Sequence, residues 1–229
     1  MSIKNVFLDL DDTLLDFHKG EDVAIRKTLA EFGAEPTEEV VALYRRINRS
    51  CWQAVEREEM NRDDILTLRF KLVFEQLGVT ADAYQIQHFY ERRLSEECHF
   101  VDGAKELLEN LYGKYRLYIT SNGTAFVQDR RIELAGIAKY FDDIFISEKI
   151  GAHKPSPLFF DGCFRRIPDI KKEQTLIVGD SLTSDILGGI NVGIHTCHFC
   201  PGKDVEYTDI RPEFVCKSLS ELEKIIADI

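Results

Sequence analysis

Short apolar segments recur along the chain and alternate with longer stretches in which apolar residues follow a helical period. The short segments cover residues 4–10, 115–121, 143–147, 174–179 and 194–199, with a weaker one at 213–216. Apolar runs of this length, bounded by turn-forming residues, are typical of buried strands. Strands that alternate with helices build βαβ units and a parallel sheet. We therefore predict an α/β fold with a doubly wound parallel sheet.

A long insertion interrupts this alternation after the first strand. Residues 16–98 carry no convincing strand pattern, and helical periodicity runs through residues 19–33, 37–59, 62–77 and 82–97. We interpret residues 16–98 as a helical cap domain, and residues 1–15 and 99–229 as the α/β core. Open α/β sheets bind ligands beyond the carboxyl ends of their strands, so an insertion at this point is expected to cover the binding site.

Three helix starts of the core can be predicted from capping residues. Asp102 is placed to cap a helix over residues 103–111. Ser156 precedes a proline, the residue that favours the first position of a helix. Ser218 and Glu221 have the spacing of a capping box, in which two side chains satisfy backbone N–H groups at the helix start.

The amino-acid composition of the chain disfavours some classes of binding partner. The net charge is −11, from 29 basic and 40 acidic residues, and so acidic a chain is a poor ligand for nucleic acid polymers. No apolar run approaches the roughly 18 residues of a membrane span, and no signal sequence precedes the first strand. The six scattered cysteines do not suggest a disulfide framework. We expect a cytoplasmic protein, monomeric or homodimeric, that binds no membrane.

The first strand ends in an unusual set of polar side chains. Its apolar run is followed by Asp9, Asp11, Asp12 and Thr13, and a buried strand has no structural reason to finish in this way. Side chains alternate along a strand, so Asp9 and Asp11 point to the same side of its end. Two carboxylates so close repel each other unless a cation lies between them or one keeps its proton. Either arrangement is useful in catalysis.

Polar residues also follow the second and third predicted strands. The strand at 115–121 leads into Ser121, Asn122 and Gly123, where a hydroxyl and the free N–H groups of a helix start can hold phosphate oxygens. The same three residues are also common in turns. Lys154 stands just before a proline that opens a helix, and it could neutralise a phosphate or a carboxylate. Most lysines, however, are solvated surface charges.

The fourth strand carries the strongest further signal. It ends in Gly179 and Asp180, and Asp185 follows five residues later in the first turn of a predicted helix. Gly179 permits a close approach of the backbone, and the two carboxylates are hard oxygen donors of the kind that Mg²⁺ takes. An acidic residue is favoured at a helix start. That preference explains Asp185 but gives no reason for Asp180.

Together these segments resemble the four sequence motifs of the haloacid dehalogenase-like (HAD) superfamily. The motifs are Asp9-x-Asp11-x-Thr13, Ser121-Asn122, Lys154-Pro155 and Gly179-Asp180-x4-Asp185, and they span the core in the order and spacing of that superfamily. The insertion after the first motif resembles a cap of its C1 type. Further phrases are similar to the pyrimidine 5′-nucleotidases of this superfamily that act on noncanonical nucleotides, and they lie at residues 48–52, 145–151 and 184–191.

The resemblance implies a phosphatase that works through an aspartyl-phosphate intermediate, with a nucleoside 5′-monophosphate as its small phosphate monoester substrate. Asp9 would be the nucleophile, which splits hydrolysis into two easier steps. Asp11 would protonate the leaving alkoxide and later deprotonate the attacking water. Since a free aspartic acid titrates at about 3.9, the surroundings of Asp11 would have to keep it protonated at the first step.

The same resemblance implies a Mg²⁺ cofactor. The cation would be held by Asp9, Asp180 and the backbone carbonyl of Asp11, with Asp185 as a ligand directly or through water. It would offset the repulsion between the anionic nucleophile and the anionic phosphate. Lys154 would orient Asp9 and compensate its charge.

Substrate-binding residues of the core are implied as well. Ser121 and the backbone around Asn122 and Gly123 would bind the phosphoryl oxygens. Thr13 is grouped with these residues and would support the turn that follows the first motif. These residues complete the predicted site at the end of the sheet.

Other chemistries of the superfamily stay open as alternatives. Haloacid dehalogenases displace halide without Mg²⁺ and carry no aspartate at the position of Asp11. The presence of Asp11 and Asp180 therefore favours phosphate-ester hydrolysis over dehalogenation. A sugar-phosphate phosphatase or a phosphomutase is a further alternative. A binding protein with a degenerate site is disfavoured, because every motif residue is intact.

Substrate choice is expected to depend on the cap. Asn48 and Trp52 lie four residues apart on a predicted helix and share one of its faces. Trp52 could stack on a nucleobase or pack in the cap core, and Asn48 could hydrogen-bond the edge of a base. We interpret both as candidate substrate-binding residues.

Overall fold

The computed structural model describes residues 2–57, 59–202 and 204–229, and it divides into two compact units. The sheet unit runs to Phe17 and resumes at Cys98, and the helical unit covers His18–Glu97. Three residues for which the sequence made predictions lie outside the described ones. They are residue 58, in the predicted helix 37–59, and residues 1 and 203, in the predicted core.

Within the described residues, six parallel strands form the sheet. They are β1 (Asn5–Leu8), β2 (Arg116–Ser121), β3 (Asp143–Ile146), β4 (Thr175–Gly179), β5 (His195–Phe199) and β6 (Phe214–Cys216). Their spatial order is β3-β2-β1-β4-β5-β6, so the order reverses at β1, as in a doubly wound sheet. The predicted strands and the predicted α/β fold class are confirmed.

The helical unit is built from four helices and has no strand among its described residues. The helices are α1 (Phe17–Glu31), α2 (Glu38–Glu56), α3 (Arg62–Gln76) and α4 (Ala83–Ser95). Each coincides with a predicted helix to within one turn at its ends. Thr37 caps α2 and Asp82 caps α4, each by accepting backbone N–H groups of the first turn.

The sheet unit contributes six further α-helices among the described residues. They are α5 (Ala104–Leu111), α6 (Ala125–Ala135), α7 (Ser147–Ile150), α8 (Pro157–Phe164), α9 (Leu187–Val192) and α10 (Leu219–Asp228). Their apolar sides cover the sheet. No helix of the described residues has the length and the apolar character that crossing a bilayer requires.

Of the three predicted helix starts, the structure agrees with one, agrees in part with the second and contradicts the third. Ser156 precedes α8 as expected. Ser218 accepts the N–H of Glu221, but the Glu221 carboxylate accepts an N–H from Lys217, so half of the predicted capping box is present. The prediction for Asp102 is wrong. Gly103 stands at the start of α5 in a left-handed conformation with φ 83°, and it separates Asp102 from the helix.

Alternating side chains give the sheet two apolar faces. Val6 and Leu8 of β1 point to one face, where they pack with residues of α5 and α10. Phe7 points to the other face, where it packs with residues of α8 and α9. A parallel strand buried on both faces reads as a continuous apolar run, which is why β1 could be recognised from the sequence.

Candidate active site

The parallel sheet brings the ends of three strands to one edge. Leu8 of β1 pairs with Ile119 of β2 and Val178 of β4, so the three strands end side by side. The backbone N–H of Asp9 continues this pairing by donating to the carbonyl of Val178 at 2.9 Å. The residues that follow β1, β2 and β4 are therefore neighbours, although they are far apart in sequence.

Lys154 is buried at this edge, with 1% of its surface exposed. Its ammonium group donates to Asp9 Oδ1 at 2.6 Å, to Asp185 Oδ1 at 2.6 Å and to the carbonyl of Thr120 at 2.7 Å. Burial alone would lower the pKa of Lys154, but the charges of Asp185 and Asp9 outweigh burial and raise its pKa above the usual value. Three acceptors thus satisfy the three protons of a charged ammonium.

Three carboxylates form a cluster around this ammonium. Oxygen atoms of Asp9, Asp180 and Asp185 all lie within 4.8 Å of one another. Burial raises the pKa of Asp9 well above its usual value, against the opposing charge of Lys154. Desolvation and the charge of Asp185 raise the pKa of Asp180 to about 8, although part of its surface stays exposed. One ammonium cannot offset three carboxylates, so the cluster favours a further cation.

Asp185 is fixed by the backbone of the loop that follows β4. The N–H of Ser181 donates to Asp185 Oδ2 at 3.2 Å. The hydroxyl of Ser181 in turn accepts the N–H of Ser184 and begins the helical turn Leu182–Ile186, which contains Asp185. The carboxylate is held at one oxygen by the loop and at the other by Lys154, so its orientation is set on both sides.

Asn122, a predicted substrate-binding residue, uses its side chain to hold Lys154. Its Oδ1 accepts the backbone N–H of Lys154 at 2.9 Å, and its Nδ2 donates to the carbonyl of Lys154 at 2.9 Å. Nδ2 also lies 3.3 Å from the hydroxyl of Ser184. The amide therefore joins the loops after β2, β3 and β4, and it places the lysine for the contacts described above.

Ser121 is buried at the end of β2. Its hydroxyl oxygen accepts the N–H of Gly123 at 3.1 Å and the Nε2–H of Gln128 at 2.7 Å. A hydroxyl has two acceptor sites and one donor. Both acceptor sites are used here, so the Ser121 hydroxyl can form one more hydrogen bond, in which it donates its proton.

Asp11 makes a separate set of contacts. Its carboxylate accepts a hydrogen bond from Gln128 Nε2 at 2.6 Å and another from Arg131 Nη1. Gln128 and Arg131 lie on α6, and the sequence analysis did not identify them. A signal was available, because two polar residues three positions apart, just after Ser121, Asn122 and Gly123, share a helix face. The metal-binding role of the Asp11 backbone carbonyl stays a prediction.

Asp12 and Thr13 lie in the turn that follows Asp11. Asp12 is in the left-handed region, with φ 56°, which aspartate tolerates better than most residues. Its Oδ1 accepts the N–H of Phe17 at 2.9 Å and so supports the start of α1. Thr13 is fully buried, and its hydroxyl makes no hydrogen bond within the described part of the chain.

The two predicted residues of the cap lie in the helical unit. Asn48 is buried there, where its amide donates to Glu21 Oε1 at 3.0 Å and accepts from Arg69 Nη1 at 2.7 Å. Trp52 is half-buried and packs against an apolar cluster of that unit. The side chain of Asn48 thus belongs to an internal polar network, while Trp52 keeps part of its surface exposed.

Comparison with known proteins bears directly on this arrangement. The model of the haloacid dehalogenase-like hydrolase family matches residues 6–199. The HAD-hydrolase YfnB of Bacillus subtilis (strain 168) is 36% identical over 223 residues, which cover 97% of this chain and 95% of YfnB. The crystal structure of YfnB bound to magnesium superimposes with a TM-score of 0.94 and covers 99% of both chains.

Two further relatives carry the name of a nucleotidase. The pyrimidine 5′-nucleotidase PynA of Streptococcus pneumoniae is 33% identical over 97% of this chain and 94% of PynA. The pyrimidine 5′-nucleotidase YjjG of Escherichia coli (strain K12) is 28% identical over 96% of both chains. The resemblance identified in the motifs is confirmed along nearly the whole length of the protein, and the chain belongs to the haloacid dehalogenase-like hydrolase family.

Proposed function

We propose that this protein is a Mg²⁺-dependent phosphatase of small phosphate monoesters and that its substrates are pyrimidine nucleoside 5′-monophosphates. The observation that carries the proposal is the buried ion cluster, in which Lys154 binds Asp9 and Asp185 beside Asp180. The names of the relatives PynA and YjjG support the choice of substrate.

Asp9 is the nucleophile in this proposal. Lys154 binds Oδ1 of Asp9, which leaves Oδ2 to approach phosphorus. A bond forms between this oxygen and phosphorus as the bond to the leaving oxygen breaks. The product of the first step is a phosphorylated aspartate and a free alcohol.

Asp11 moves the protons of both steps. It lies two residues from Asp9 and gives a proton to the leaving oxygen as the ester bond breaks. In the second step it takes a proton from the water that attacks phosphorus, which releases inorganic phosphate and restores Asp9. General acid–base catalysis of this kind typically contributes about 10²–10⁴-fold to the rate.

The donor set at the edge of the sheet fits Mg²⁺. Carboxylate oxygens of Asp9, Asp180 and Asp185 lie close together, and such hard oxygen donors suit a small divalent cation. These three residues and the backbone carbonyl of Asp11 would hold it. When bound, the cation supplies positive charge that offsets the repulsion between nucleophile and substrate.

Ser121 and the start of α6 bind the phosphoryl group. The hydroxyl of Ser121 accepts two hydrogen bonds from the protein, which directs its proton to a phosphoryl oxygen. The N-terminus of α6 follows directly. Its Ala125 N–H already donates to the Glu148 carboxylate, which leaves the neighbouring N–H groups of the first turn to favour an anion. Lys154 adds positive charge beside Asp9.

Phosphate release from p-nitrophenyl phosphate, with Mg²⁺ and after EDTA treatment, tests the reaction class. A panel of nucleoside monophosphates and sugar phosphates then tests the substrate. Asp9→Asn should reduce phosphate release to background, whereas Asp129→Asn should not, because Asp129 pairs with Lys149 on the surface. If sugar phosphates release phosphate faster than every nucleotide, the nucleotidase assignment is rejected and the phosphatase assignment is kept. If the protein releases halide from a haloacid without Mg²⁺ and releases phosphate from no ester, both assignments are rejected.

A further inference from the structure

The carboxyl group of Asp11 is held from one side by two residues of α6. Gln128 Nε2 donates to Asp11 Oδ2 at 2.6 Å, and Arg131 Nη1 donates to Asp11 Oδ1. Each oxygen of the carboxyl group therefore has its own donor. Two donors at two oxygens fix both the position and the plane of the group, which a single hydrogen bond would not do.

The two donors are themselves locked in place. Arg131 is 1% exposed, donates to Gln128 Oε1 at 3.0 Å, and lies with its guanidinium 5.7 Å from the centre of the Phe17 ring. Gln128 is equally buried. Long polar side chains are rarely buried so completely unless their partners are fixed. Burial and their mutual hydrogen bond thus hold both donors in place.

Gln128 also connects Asp11 to the phosphate-binding end of β2. The same Nε2 that contacts Asp11 lies 2.7 Å from the hydroxyl of Ser121. One amide thus sets the distance between the group that moves protons and the hydroxyl that faces the phosphoryl group. A proton must reach the leaving oxygen of a substrate held by Ser121, so this distance controls the first step.

We propose that Gln128 and Arg131 are positioning residues that hold Asp11 at the leaving oxygen of the substrate. The inference rests on the proposed function, because it takes Asp11 as the general acid of an ester hydrolysis. Neither residue touches the reacting atoms. Arg131 acts through Asp11, and Gln128 acts through Asp11 and through the hydroxyl of Ser121. Their removal should therefore weaken proton donation and spare the attack by Asp9.

Dependence on the leaving group separates these two effects. The ratio kcat/KM reports the steps up to release of the alcohol, which include proton donation by Asp11 but not the later attack of water. Phenolate is a poor leaving group that needs this proton, whereas p-nitrophenolate leaves readily without it. Phenyl phosphate and p-nitrophenyl phosphate are otherwise alike in shape and charge.

The variants are Gln128→Met, Arg131→Met and the conservative Arg131→Lys, with Arg130→Met as matched control. Arg130 lies on the same helix, is exposed and pairs with Glu133 at 2.5 Å. For Gln128→Met and Arg131→Met we expect kcat/KM for phenyl phosphate to fall about 10–100-fold, the usual effect of a misplaced catalytic group. The value for p-nitrophenyl phosphate should fall less than about fivefold for Arg131→Met. For Gln128→Met, which also removes a hydrogen bond to Ser121, it should fall less than the value for phenyl phosphate. Arg131→Lys should recover part of the loss, and Arg130→Met should match the parent.

The outcomes distinguish the inference from the function on which it rests. Equal losses for both esters, or no loss for either, would overturn the positioning role. Should Arg131→Met not fold by circular dichroism, Gln128→Met and Arg131→Lys decide alone. Asp11→Asn is measured beside them. If it shows the leaving-group dependence and the variants of α6 do not, the inference fails and the function stands. If the parent protein releases phosphate from neither ester, the proposed function itself fails.

Discussion

The carboxylate of Asp185 occupies the space that a side chain at Gly179 would fill. A Cβ atom at residue 179 would lie 2.1 Å from Asp185 Oδ2, closer than any non-bonded contact allows. Gly179 is the last residue of β4, and Asp185 reaches back over it toward Lys154. The absence of a side chain at the strand end is therefore a condition for the ion cluster.

Gly179→Ala should disrupt the active site more than the fold. The added methyl group must displace the Asp185 carboxylate, because the three atoms nearest to it all belong to the Asp185 side chain. A displacement of about 1 Å costs on the order of 10²-fold in rate. We expect kcat/KM with p-nitrophenyl phosphate to fall at least that far, with a circular dichroism spectrum like that of the parent. Near-normal activity would show that Asp185 is dispensable in this position.

Lys154→Met should destabilise the protein strongly, whereas Lys149→Met should not. Both lysines contact an aspartate at 2.6–2.7 Å, but Lys154 is buried and Lys149 is exposed. Breaking a buried ion pair by removing one partner costs about 3–5 kcal/mol. A surface pair contributes about 0–1 kcal/mol. Urea unfolding in EDTA measures the free energy of unfolding of each variant. Equal values for the two variants would mean that the buried pair stabilises the protein no more than the surface pair.

The sheet could be predicted from the sequence because its signal is local. The strands β1, β2 and β4 each contain a continuous apolar run, and β1 reads as one because both of its faces are buried. The motif residues that end β1, β2 and β4 were also found from the sequence. A polar residue at the end of such a run has no packing role to explain it. Their meeting at one edge then follows from the parallel arrangement alone.

The partners of those residues could not be predicted in the same way. Gln128 and Arg131 look like the solvated face of an amphipathic helix until the fold buries them against Asp11. Asn122 was expected to meet the substrate, and its amide instead holds the backbone of Lys154 from another loop. Such contacts join segments far apart in the chain, and a local pattern can mark a polar helix face but cannot identify its partner.

Asp180→Asn should weaken Mg²⁺ binding even where the fold is unchanged. The substitution keeps the shape of the side chain and removes one negative charge from the cluster with Asp9 and Asp185. Changing a residue that merely supports a ligand costs about 10–100-fold in metal affinity, so a ligand should cost at least as much. Isothermal titration calorimetry of the metal-free protein with MgCl₂ measures the affinity. An unchanged value would place the cation elsewhere, and the surface variant Asp129→Asn is the control.

Trp52→Ala should raise KM for uridine 5′-monophosphate far more than KM for p-nitrophenyl phosphate. Stacking on an aromatic ring is worth about 1–3 kcal/mol per base, and only the nucleotide offers a base. Tyr84→Ala is the matched control, since Tyr84 is a 63% exposed aromatic residue of the same helical unit. Initial rates at varied substrate concentration give both constants. Equal effects on the two esters would show that Trp52 acts by packing against its apolar neighbours and that base recognition lies with other residues.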